Sequence, residues 1–69
     1  MESVAELRAQ AQGKRRRAHR ARELASGLSL DADRTSLLQH AQVLEAEAAA
    51  LEFQADMVDA QERGRPAAK

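Results

Sequence analysis

The sequence contains no cysteine, tryptophan or tyrosine, and only one phenylalanine, one proline and three glycines among its 69 residues. Each absence excludes something. Without cysteine there is neither a disulfide framework nor a thiolate metal site. Apolar residues never run for the ~18–20 consecutive positions that a membrane span needs. The opening MESVAELR lacks the basic and apolar regions of a secretory signal, and Glu2 stands where a myristoylated protein carries glycine. A cytoplasmic location, with no membrane partner, is therefore the expectation. The formal net charge is zero, which disfavours a protein given over to a polyanion.

What the chain has instead is alanine and charge. Alanine occupies 16 positions, while the large apolar side chains are eight leucines, three valines, Phe53, Met57 and Met1. So short a chain can build only a thin core, in which helices approach closely over alanine. Charge is segregated: residues 1–27 hold seven Lys/Arg against three acids, and residues 34–62 hold six acids against Arg34 alone.

Helix formers fill the chain from Glu2 to Ser26, and SGLSLDAD then interrupts them. Gly27 suits the residue that closes the first helix, and Asp31 or Asp33 suits the cap of the second. Gly64 and Pro66 end the pattern. The fold class expected is all-α, an antiparallel two-helix hairpin. It occupies residues 1–63, with helix 1 over about 2–26, a turn at 27–31, helix 2 over about 32–63, and a disordered tail at 64–69.

Heptad spacing defines a seam between the helices. Helix 1 contributes Val4, Leu7, Ala11, Lys14, Ala18, Ala21, Ala25 and Leu28, and helix 2 contributes Leu37, Ala41, Leu44, Ala48, Leu51, Ala55 and Val58. Folding the hairpin with Ala25 opposite Leu37 sets Ala21 against Ala41, Ala18 against Leu44, Ala11 against Leu51, Leu7 against Ala55 and Val4 against Val58. Most layers then place a large residue against a small one. The same register brings Arg15 near Glu45, Arg8 near Glu52, Arg17 near Glu47 and Gln10 near Gln54. Lys14, a cation in the seam opposite Ala48, is expected to lay its stem along the seam and lift its ammonium to the edge.

The stretch KRRRAHRAR at 14–22 packs six cations into nine positions. Under this register Lys14, Arg15 and Arg17 are used inside the hairpin and Arg22 flanks Leu38. Arg16, His19 and Arg20 remain as a candidate nucleic-acid contact. No aromatic residue lies within the run to stack on a base, and the pI of about 6.7 is low for a nucleic-acid-binding domain.

The other side of helix 2 carries more. Val43, Ala46, Ala50, Phe53, Met57 and Ala60 recur at spacings of three and four, roughly half a turn from Leu37, Leu44 and Leu51. A hairpin buries one apolar face, so the second is a candidate interface with a partner helix or a second copy. Dimerisation of two hairpins into a four-helix bundle is the arrangement expected, with Phe53 and Met57 as anchors.

No constellation for catalysis, metal or cofactor binding stands out. His19 and His40 belong to no HExxH or ExxH pattern, the acids are spread around helix 2, and Gly13 lacks a glycine-rich loop. Ser26, Ser29 and Ser36 sit at helix ends, where capping accounts for them. The expectation is a non-enzymatic protein with no cofactor and no small-molecule substrate.

Arg22–Ala25 (RELA) followed by DADRTSLLQHAQVLEAEAAALE at 31–52 resembles a group of short, mostly uncharacterised bacterial helical hairpins. Their pattern is Arg-x-x-Leu/Ala, an aspartate-containing turn, Leu-Leu-x-x-Ala and an acidic, alanine-rich second helix. The likeness spans most of residues 18–55 and implies a fold but no activity. In architecture the chain is also similar to the plasmid Rop hairpin, which dimerises into a four-helix bundle and binds RNA. No residue-level match carries RNA-binding positions over. The function expected is protein–protein interaction or scaffolding, with a small RNA- or DNA-binding regulator as the alternative.

Overall fold

The computed structural model describes residues 3–64, which form two helices, α1 (Val4–Ser26) and α2 (Asp31–Gly64). They pack along their length as an antiparallel hairpin, a rod whose longer helix, α2, runs about 51 Å at 1.5 Å per residue. The expected tail lies, beyond Gly64, outside the described residues.

α1 opens two residues later than expected, at a capping device. Ser3 is extended, and its Oγ accepts the Glu6 backbone N–H at 3.1 Å while its hydroxyl donates to Glu6 Oε1 at the same distance. The sequence SVAE holds this serine–glutamate spacing, which satisfies helix-end donors and puts negative charge against the positive end of the dipole.

The turn differs from its expected form in two respects. Gly27 closes α1 with φ −91° and ψ −5°, a right-handed conformation open to any L residue. Its N–H donates to Leu24 O at 3.1 Å and the Leu28 N–H donates to Ala25 O at 3.1 Å, so the helix ends in a tightened last turn. Neither Asp31 nor Asp33 caps α2. The helix begins one residue earlier, with the Arg34 N–H donating to Leu30 O at 3.0 Å, and both aspartates fall inside the first turn. There they face the helix dipole favourably, but Leu30 supplies no side-chain acceptor.

The buried residues fall at seam positions, but Leu28, which its spacing puts in the seam, lies past the end of α1 and is exposed. Leu7, Ala11, Ala18, Ala21 and Ala25 are buried on α1, and Ala41, Leu44, Ala48 and Ala55 on α2. Ala18, Ala21, Ala41 and Leu44 form one cluster with Leu37 packed against it, as the layers Ala18–Leu44 and Ala21–Ala41 require. Among the described residues Leu7 is the only large side chain that is fully buried. Val4, Leu37, Leu51 and Val58 are half-buried. With only two helices in contact, most side chains longer than alanine reach past the seam and their ends meet water, whereas Leu7 and Leu44 stay within it. The core is therefore mostly alanine backbone approach, with leucine tips overhanging both edges.

Candidate interaction surface

The ion pairs decide which surfaces of the rod remain available. Arg15 is held by Glu52 (Nε–Oε2 2.7 Å, a second contact of 2.6 Å), and Arg22 by Glu45 (2.9 and 2.6 Å). Arg8 reaches Asp56 at 3.3 Å and Asp59 at 3.7 Å, and Lys14 Nζ donates to Glu47 at 3.1 Å. These replace the expected pairs Arg15–Glu45, Arg8–Glu52 and Arg17–Glu47. The seam register is unchanged; only the flanks move, with Arg15 finding its acid one heptad further along α2, Arg8 finding its acids four and seven residues further, and Glu47 taking Lys14 in place of Arg17.

Side-chain direction explains the shift. The Cα–Cβ bond of a helical residue tilts toward the N-terminus of its own helix. Arg15 leans toward the start of α1. Glu52 lies beyond it in that direction and leans back toward the start of α2, so the two converge. Glu45 lies on the other side and leans away, toward Arg22, which leans to meet it. The bidentate hydrogen bonds hold the Glu52 and Glu45 carboxyls below the usual carboxylate range and raise Arg15 and Arg22 above theirs.

Five of the six acids between residues 34 and 62 thus meet cations of α1. Lys14 behaves as its position implied: half-buried in the seam, with its ammonium at the edge on Glu47. Because Lys14 takes Glu47, Arg17 is released. Among the described residues Arg16, Arg17 and Arg20 have no carboxylate partner, while His19 Nε2 lies 3.2 Å from Glu23 one turn along. The basic outer face of α1 is therefore three arginines, one of which the sequence register assigned elsewhere.

The second face of α2 is open along its whole length. Phe53 is 67% exposed, Val43 55% and Met57 49%, and Ala46, Ala50 and Ala60 are exposed between them. Helical spacing places Thr35 and Gln39 on the same strip, so along its centre from Thr35 to Ala60 it carries no charged side chain; Asp56, one heptad on from Ala49, stands at its edge, where Arg8 reaches it. This uncharged strip is about 38 Å long at 1.5 Å per residue. Isolated exposed hydrophobics are common on soluble proteins, but a charge-free stripe of them along a helix is a candidate contact surface.

A smaller apolar group lies at the turn, and of it the heptad spacing marked Leu28 alone, as part of the seam. Leu24, Leu28 and Leu30 are exposed at the turn end of the rod, by 57%, 37% and 66%. Their signal was the leucine recurrence in LASGLSL, which the turn residues masked.

Two shallow grooves flank α1, one lined by Arg8, Gln12, Arg15, Glu52 and Asp56, the other by Gln12, Arg15, Arg16, His19, Arg20 and Glu23; both lie open to solvent. Among the described residues no three His, Cys, Asp or Glu side chains converge as metal ligands, and no helix is long and apolar enough to cross a membrane. Comparison with protein-family models, with curated proteins and with solved structures finds no match.

Proposed function

We propose that the protein is a non-catalytic interaction or scaffold module that self-associates through the second apolar face of α2, a homodimer of four helices. The observation that carries this reading is the exposure of Val43, Phe53 and Met57 on a strip without charge. The acids of α2 that could keep such a strip apart from another copy are turned to its flanks and neutralised by α1. Phe53 and Met57 are the side chains with most to gain from leaving water.

Sedimentation velocity over a wide concentration range tests the reading, using interference detection because the chain has no Trp or Tyr. The wild type should sediment as a dimer or tetramer at high concentration, and Phe53→Asp as a helical monomer. A wild type that remains monomeric throughout sinks the proposal.

A second reading rests on a different observation, the unpaired arginines 16, 17 and 20 on the outer face of α1. They make a small electrostatic footprint for RNA or DNA. A salt-sensitive gel shift lost on replacing all three by glutamate would favour it; no shift at low salt would remove it.

A further inference from the structure

Resting on that self-association, we infer that the partner is a second copy of this chain laid antiparallel on α2, in a register that sets Val43 of one copy against Ala60 of the other. The same register sets Ala46 against Met57 and Ala50 against Phe53. The exposed positions from Val43 to Ala60 run large, small, small, large, large, small. Reversing that order produces its complement, so two identical strips running in opposite directions give large-on-small contact in every layer. Laid parallel and in register, they would stack Phe53 on Phe53 and Met57 on Met57, and leave two alanine layers that cannot close to the same separation.

Charge agrees with the packing. In an antiparallel pair each edge of the strip faces the same edge of its copy. Glu47 then lies across from Gln61 of the other copy, and already holds Lys14 at 3.1 Å. Asp56, on the opposite edge, lies across from Ala49. No acid meets an acid, although α2 is strongly acidic overall.

The exposed area sets the strength. Phe53, two-thirds exposed, offers on the order of 100–150 Å². With Val43, Met57 and the alanines, each copy buries roughly 400–500 Å², about 800–1,000 Å² for the pair, which is the size of a weak, transient interface. A reversible dimer follows. Because the strip and the seam lie on nearly opposite sides of α2, the helices would stand in a row, α1 outermost in each copy, rather than around one shared core.

The absence of cysteine permits the test. His40→Cys and Gln61→Cys, both exposed sites off the apolar strip's centre, are spin-labelled one at a time. Distances between the two copies are then measured by double electron–electron resonance, at concentrations where sedimentation shows the dimer. The register predicts about 35 Å at position 40 and about 30 Å at position 61, from the 1.5 Å rise. Short distances of about 10–15 Å at both sites mean a parallel pair. A one-heptad slip moves the two values about 10 Å in opposite directions. Either result overturns the register while leaving self-association standing. A monomer in sedimentation, with no dipolar coupling at either site, overturns both.

Discussion

The guanidinium of Arg15 meets the carboxylate of Glu52 through two hydrogen bonds of 2.7 and 2.6 Å, rather than meeting Glu45, its nearer neighbour in register. This choice locks the flank of the hairpin in the direction that helical side chains lean. It also explains why a run of cations that invites a nucleic-acid reading is largely occupied within the protein.

Charge reversal tests that pairing. Arg15→Glu should lower the melting temperature, and adding Glu52→Arg should restore most of the loss. Adding Glu45→Arg instead should restore less, and should strip Arg22 of its partner. Thermal melts followed by circular dichroism form the double-mutant cycle. Equal rescue by both second changes would contradict the geometry.

Acid should loosen the hairpin. The Glu52 and Glu45 carboxyls are depressed in the folded state by the hydrogen bonds from Arg15 and Arg22. A depressed carboxyl contributes stability that is present above its unfolded value of about 4.3 and is lost as pH falls through the folded value. The melting temperature should therefore hold between about pH 7 and pH 5 and fall below about pH 4. Arg15→Gln with Arg22→Gln should flatten that acid limb.

Gly13 sits inside α1 with open space around it, where an added Cβ meets nothing within 4 Å. Gly13→Ala should stabilise by about 1 kcal/mol, which for a domain of this size raises the melting temperature by about 4–8 °C. Gly27→Ala should be neutral or mildly stabilising, since its backbone is right-handed and the added Cβ would lie 3.6 Å from Leu24 O. A large loss at Gly27 would contradict the turn.

Leu7 is 1% exposed and is, among the described residues, the one large side chain wholly inside the seam. Leu7→Ala should cost about 2–3 kcal/mol. Leu51→Ala, at a half-buried layer, should cost less. Chemical denaturation of the two variants decides the order.

The apolar periodicity alone identified both helices, the seam from Leu7 to Ala55, and the second face centred on Phe53. Those features follow from spacing, because a helix turns each residue through a fixed angle whatever lies beside it. The turn and the flanks did not follow. Gly27 needed no left-handed backbone, and the aspartates entered the helix instead of capping it, because the chain leaving α1 closed by hydrogen bonds that periodicity does not report. Arg17 was assigned to Glu47, which Lys14 took from the seam.

By itself, then, the sequence determined that this chain is a two-helix rod with an alanine seam and one apolar face too many. Only the tertiary structure decided which cation holds which acid, and so which arginines stay free on α1. The physical reason is that heptad position fixes the side of a helix a residue occupies. The reach and lean of a long side chain across the groove depend on a partner helix running the opposite way.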